Sequence, residues 1–406
     1  MSDTKPKAAL TGVRVLDLSR VLAGPWATQI LGDFGADVIK IEKPGAGDDT
    51  RAWGPPFLNG EDGAHGDAAY YLCANRNKRS VTIDFAKPEG AALVKRLIPH
   101  CKILVENFKT GGLRKYGLDY ESVRAINPAI VYCSITGFGQ NGPYSNRPGY
   151  DYIIQGMGGL MSLTGEPMGE PMKSAVAVAD LFTGMYAVTG ILAALRHAER
   201  TGEGQQIDAA LLDTQVAMLA NIGASYLASH DKPTRLGNQH AAIAPYQVLP
   251  TADGHIILAV GNDGQFHDFC AAAGVELCDD PKFAHNEARV RNRVELTAAL
   301  NTIMARKTTA QWVAALEAAQ VPCGPINTLD QVYADPQVIA RNAVESVTRS
   351  DGTPIKLAAN PLRLSQTPPT THAAPPTLGE NTDATLTELL ALSEAELTRL
   401  REANVI

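Results

Sequence analysis

Asp180 stands where a run of small apolar residues, SAVAVA, meets the long apolar stretch LFTGMYAVTGILAALRH. Apart from it, no Asp, Glu, Lys or Arg lies between Lys173 and Arg196. The free N–H groups and dipole of a helix start would hold such a carboxylate ionised at neutral pH. An aspartate so placed is either a helix cap with no further task or a nucleophile toward a reactive carbonyl. Upstream, GYDYIIQGMGGLMSLTG sets Tyr150 and Asp151 beside glycines. Downstream, RLGNQHAAIAPYQ carries Arg235, Gly237 and His240 in a loop of small residues, suited to a mobile lid or close ligand approach. No GxSxG, no Cys–His arrangement in a known setting and no HExxH spacing occurs, so neither a serine or cysteine hydrolase nor a metal centre is expected.

Two cation groups precede or follow apparent strands. Asn75 and Arg76 open NRNKRS with Lys78 and Arg79, and Lys109, Arg114 and Lys115 lie in ENFKTGGLRKYG. Two such loops at successive strand ends would suit a polyphosphate, although solvated loop charge reads the same way. The whole chain carries 36 basic and 43 acidic residues, a net charge of −7, which argues against nucleic acid as a partner. Glu42-Lys43 ends a second strand, where a dinucleotide enzyme would touch ribose. The loop before it, RVLAGPW, has one glycine where GxGxxG is needed, so NAD(P) is not expected.

The elements that must position these residues alternate through the first quarter of the 406-residue chain. VRVLDLS, ADVIKIEKP, SVTIDF, KILVENF and AIVYCSITGFG read as strands, AGPWATQILGDFG and PEGAALVKRLIPHC as helices. Such alternation predicts a mainly parallel sheet covered by helices, an α/β fold. From about 180 the helical period takes over, with Leu181, Met185, Val188, Ile191, Leu192 and Leu195 on one stripe and IDAALLDTQVAMLANIGASYLAS as a second long helix. A large domain is placed at 1–225 and completed by 330–406, and a smaller α+β domain at 226–329. No apolar run approaches the ~20 residues of a membrane span. MSDTKPKAAL lacks a secretory core and the six cysteines show no CxxC, which together predict a cytoplasmic protein with reduced thiols.

Taken in order, LTGVRVLDLSRVLAGP, DVIKIEKPGAGDDTR, NRNKRS, LVENFKTGGL, GYD, ADLFTGMYA, TGEGQQID, VPCGPINT and LGENT resemble the family III (CaiB/BaiF-type) CoA-transferases nearly end to end. Within that family, DDTRAWGPPF, YCSITGFGQNGP and the run from His240 to Gln247 are most similar to the branch that uses succinyl-CoA and dicarboxylic acids. The resemblance implies a Rossmann-like large domain, an interlaced homodimer, no tightly bound cofactor and a coenzyme A thioester as substrate. It implies that Asp180 is the catalytic carboxylate, passing through an acyl anhydride and an aspartyl-CoA thioester. It places CoA at Leu22, Ala23, Lys43, Asn107, Phe108, Lys109 and Lys115, with Arg147 standing in for a lysine that relatives have where this chain has Pro148. Tyr150, Asp151, Arg235, Gly237 and His240 fall to the acyl substrates, with Arg235, Lys173 and His240 the candidates for a second carboxylate. Three alternatives come with it: an α-methylacyl-CoA racemase, whose histidine would fall at Tyr150; a formyl-CoA:oxalate-type transferase, whose triple-glycine lid is here NQHAAIAPY; and a non-catalytic CoA-ester-binding subunit of a heteromer.

Overall fold

The computed structural model describes residues 8–59 and 65–406, so the opening MSDTKPK lies outside it. Contacts divide the chain into a larger unit of residues 1–159, 174–227 and 337–406, and a smaller one of 160–173 and 228–336.

The larger unit is built on six strands: β1 (Arg14–Asp17), β2 (Asp37–Glu42), β3 (Lys78–Thr82), β4 (Ile103–Glu106), β5 (Val131–Thr136) and β6 (Gln206–Ala210). All neighbours pair in parallel, in the order β3-β2-β1-β4-β5-β6. This is the doubly wound order, with the predicted α/β class, and its direction reverses between β1 and β4. Central strands carry apolar residues on both faces because both faces are covered, and the charged residues among them, Asp17, Lys40 and Glu106, are buried as well. On one face Val15, Val38, Val105 and Cys133 meet helices α1 (Ala23–Asp33) and α5 (Val178–Thr201). On the other, Leu16, Ile39, Leu104 and Tyr132 meet α2 (Pro88–Leu97), α3 (Tyr120–Ile126) and two C-terminal helices, through residues such as Leu386 and Leu400.

The sixth strand corrects the sequence reading, which ran residues 207–229 into one helix. Gln206–Ala210 alternate sides for only five residues before α6 (Leu211–Met218) begins, too short a period-2 signal beside a long apolar helix. Helix α5 corrects one more expectation and refines another. At 24 residues it is long and apolar enough to cross a membrane by length and composition alone. Counting uninterrupted apolar residues misses it, because threonines and glycines break the run. Of the predicted large-residue stripe, Val188, Ile191 and Leu195 are buried as expected and Met185 is exposed, and small residues share the buried face: Ala179, Thr183, Gly184, Ala187 and Ala194. Small residues allow α5 to lie close on α1. A Cβ on Gly184 would sit 2.8 Å from the Ala23 carbonyl oxygen.

The smaller unit holds an antiparallel three-stranded sheet of Tyr246–Pro250, His255–Ala259 and Cys323–Pro325 with helices such as Asp263–Ala273. Its core gathers Phe266, Phe269, Leu300 and Trp312.

Candidate active site

In a doubly wound sheet the crevice lies beyond the C-terminal ends of the strands, where the order reverses. Here that point falls between β1 and β4, and a cleft of about 590 Å³ opens there. Leu22 and Ala23 after β1, Asn107, Phe108, Lys109 and Lys115 after β4, and Arg147, Tyr150 and Asp180 all line it. Residues read from separate stretches of sequence thus meet in one space.

The two loops at the reversal are clasped by one side chain. Arg20 donates its backbone N–H to Asn107 Oδ1 at 2.9 Å, and Asn107 Nδ2 donates to the Arg20 carbonyl at 2.6 Å. The Arg20 guanidinium lies 5.3 Å from the centre of the Phe108 ring and pairs with Asp49 at 2.8 Å. Between Arg20 and Leu22, Val21 adopts φ 70°, a left-handed conformation that costs a β-branched residue. Beneath the turn, Asp17 accepts hydrogen bonds from Ser19 and Thr28 and pairs with Lys78 at 3.2 Å. The turn that presents Leu22 and Ala23 is therefore held from below. A second wall depends on two glycines: a Cβ on Gly137 would fall 2.5 Å from Gly149 Cα, so only bare backbone can cross there and bring Arg147 and Tyr150 to the cleft.

Asp180 is the third residue of α5, within its first turn, and does not cap it. Asp151 takes that role from another helix, α4 (Asp151–Met157): its Oδ1 accepts the N–H of Ala179 at 2.8 Å and of Asp180 at 3.4 Å. Gln155 donates to the other oxygen at 2.7 Å and fixes the carboxylate. Asp151 is thus turned to the helix start, where the sequence reading placed it on substrate. With that terminus already occupied by a charge, the expectation that Asp180 is held ionised also fails. Burial first, and the charge of Asp151 second, push its carboxyl up to about 7.

Two aromatic residues escaped the sequence reading. Trp53 lines the cleft and meets the Tyr70 ring edge-on at 5.5 Å. Burial and then the charge of Asp180 push the Tyr70 phenol up to about 12, which sets it within electrostatic reach of the nucleophile candidate. Nothing in RAW or AAYY marks them locally.

Lys43 lines a neighbouring cavity of about 440 Å³ that shares Arg20, Asp49, Phe85 and Phe108 with the cleft. Asn75 and Arg76 do not reach either. NRNKRS enters β3 at its N-terminal end, the wrong end of a parallel sheet for a ligand. Arg76 is buried and paired with Asp33 at 2.6 Å, and Asn75 donates to the Tyr71 carbonyl while accepting from Lys78. These are core ion pairs and hydrogen bonds. Arg235, Gly237 and His240 belong to the smaller unit. There the Arg235 guanidinium donates to the carbonyls of Glu166 and Gly169, Gly237 turns at φ 58°, and His240 Nδ1 accepts the N–H of Ala242.

A half-buried carboxyl therefore faces a cationic cleft at the sheet reversal. A succinate–glutarate CoA-transferase of Agrobacterium fabrum is 54% identical over 384 residues, covering 94% of this chain and 96% of that one. A succinyl-CoA:glutarate CoA-transferase of Mus musculus is 43% identical, over 100% of this chain and 92% of its own length. The crystal structure of a CAIB/BAIF family protein from Brucella suis superposes with a TM-score of 0.84 at 50% identity, covering 94% of this chain and 100% of that one. The model of CoA-transferase family III matches residues 10–382, and with these relatives it establishes that the chain belongs to that family.

Proposed function

We propose that this CoA-transferase moves CoA from succinyl-CoA to a dicarboxylic acid, with Asp180 as the nucleophile. One observation carries the chemistry: Asp180 shares a single cleft with the cationic loop residues Lys109 and Lys115. Support for the substrates comes from the names of relatives that span this chain, which pair succinate or succinyl-CoA with glutarate. In the proposed cycle the Asp180 carboxylate attacks the donor thioester carbonyl, and the C–S bond breaks to give an aspartyl acyl anhydride and CoA thiolate. The thiolate attacks the aspartyl carbonyl, releasing succinate and leaving an aspartyl-CoA thioester. The acceptor carboxylate then attacks that thioester, expelling the thiolate and forming a second anhydride. Attack of the thiolate on the acceptor's acyl carbonyl yields the new thioester and restores the carboxylate. Anhydride and thioester are both activated acyl groups, so no nucleotide is consumed.

The protein would work as a homodimer. Exposed apolar side chains support this reading: Phe182, Met185 and Tyr186 on α5 and Ile153 and Met157 on α4. The test is mass spectrometry of protein incubated with succinyl-CoA and trapped with hydroxylamine or borohydride, beside transfer assays over a panel of acids. A modification at Asp180, lost with activity in Asp180→Asn and Asp180→Ala, is expected. Full turnover in either variant refutes the proposal.

A further inference from the structure

A row of polar side chains that the reaction above does not use crosses three neighbouring strands, from the last residue of β4 to the middle of β6. In the register of the sheet, Glu106 on β4 partners Ser134 on β5, and Ser134 partners Asp208 on β6. Each carboxylate in the row takes an N–H from a loop that forms the cleft. Glu106 Oε2 accepts from the backbone of Phe108 at 2.8 Å, and Asp208 Oδ2 from that of Gln140 at 2.9 Å. Ser134 lies between them and accepts from Gln206 at 3.2 Å. Behind the row is a separate cavity of about 430 Å³, lined by Glu106 and Ser134. Lys109 and Thr110 line both this cavity and the cleft, so residues 107–117 form a partition with Glu106 at its foot.

We propose that Glu106 is a positioning residue for the acyl-CoA: it fixes the Phe108 backbone from beneath the partition, and its charge state sets how tightly the cleft takes a polyanion. The proposal rests on the acyl-CoA reading given above. The chemistry of the row favours a neutral acid. Glu106 is 6% exposed, and among the described residues no ion pair reaches it. Burial first, and Asp208 in addition, push its carboxyl up to about 7, against hydrogen bonds from Ser134 and the Phe108 N–H that favour the charged form. Tyr132 on β5 faces the same cavity, while the Cys133 thiol, from the opposite side of that strand, also lies within reach of its charge. The partition contributes Lys109 and Arg114, and the start of α3 contributes Asp119, Tyr120 and Glu121. A proton leaving Glu106 therefore adds a buried negative charge to a wall that must attract phosphates.

Below pH 7 the acid is neutral and binding is tight; above it the carboxylate weakens binding. The measurement is the affinity for dephospho-CoA at pH 6 and pH 8 in an Asp180→Asn background, which removes the titration of Asp180 and of the ligand's 3′-phosphate. Binding should weaken about 5-fold across that range, the lower end of ordinary coupling between sites. Asp180→Asn combined with Glu106→Gln, which keeps an acceptor for the Phe108 N–H but cannot ionise, should bind as tightly at pH 8 as at pH 6. In otherwise wild-type protein, Glu106→Ala should raise KM for acyl-CoA and leave KM for the acceptor acid unchanged, with Glu106→Gln restoring it. An unaltered pH slope in the double variant, or an unchanged KM for acyl-CoA in Glu106→Ala, overturns the proposal alone. Absence of any CoA binding in Asp180→Asn overturns it together with the acyl-CoA function.

Discussion

Asp180 has to ionise in order to attack, in a place that resists ionisation. Burial and the neighbouring Asp151 raise its carboxyl from an ordinary 3.8 to about 7. The folded protein therefore holds this proton more tightly than the unfolded chain does. The contribution to stability is complete below the unfolded value, and declines as pH rises until the folded group has lost its proton near 7. At about 1.4 kcal/mol per pH unit, the full rise corresponds to ~4 kcal/mol as an upper limit. Asp180→Asn keeps the volume and removes the charge, so at pH 8 the variant should be more stable than the wild type by roughly 2–4 kcal/mol. Between pH 8 and pH 5 that advantage should shrink by roughly 2–3 kcal/mol, because the wild-type carboxyl is protonated in the folded state at pH 5. Urea denaturation of both proteins at each pH measures it, and titrations elsewhere cancel in the difference. A stability difference independent of pH, or a less stable variant at pH 8, would refute the assignment of a destabilised carboxylate to position 180.

Asp151→Asn removes the charge beside Asp180 while leaving an acceptor for the α5 N–H groups. The acid limb of kcat/KM for the acyl-CoA should move down by about one pH unit, as for a like-charge neighbour removed, in a pH–rate profile from 5 to 8.5. Arg76→Ala leaves the buried Asp33 carboxylate without its 2.6 Å partner and should cost about 3–5 kcal/mol by denaturation. KM for acyl-CoA should stay unchanged, and a large rise in it would return Arg76 to the cleft. Gly149→Ala forces a Cβ to within 2.4 Å of Gly137 Cα, and should destabilise the fold by about 1–3 kcal/mol with a several-fold rise in KM.

The sequence made the parallel sheet legible because its strands are buried on both faces and place apolar residues at consecutive positions, as in VRVLDLS and KILVENF. It left β6 hidden, since Gln206–Ala210 lie at an edge, with only Ala210 buried, and run directly into a helix. Asp180 was legible from its isolation among apolar residues. Its partner was not: Asp151 comes from another helix, 28 positions before the Ala179 N–H it caps. The same blindness to distance misplaced Arg76. A cluster of cations reads identically whether it faces solvent or a buried carboxylate 43 residues away, and only the fold reveals Asp33.

That distinction explains how a chain of net charge −7 can offer a cationic cleft. Buried cations are matched by buried carboxylates: Lys40 with Asp48 at 2.8 Å, Arg51 with Glu42 at 2.7 Å, Arg76 with Asp33 and Lys78 with Asp17. Charges so deep are too well paired to act on a ligand outside, although breaking any pair would strand its partner. The attractive field in the cleft comes instead from the loops that follow β4 and β5, through Lys109, Lys115 and Arg147. They line the same cleft as Asp180, but burial and Asp151 set its carboxyl, so these cations serve the ligand rather than the nucleophile. Lys109→Ala with Lys115→Ala should therefore weaken binding without changing the ionisation of Asp180. KM for acyl-CoA should rise, with a shallower dependence on salt because fewer exposed charges remain to be screened. The acid limb of kcat/KM should stay where it is, because burial and Asp151 set the Asp180 carboxyl. A limb moved to higher pH in the double variant would tie the binding loops to the nucleophile and refute this separation.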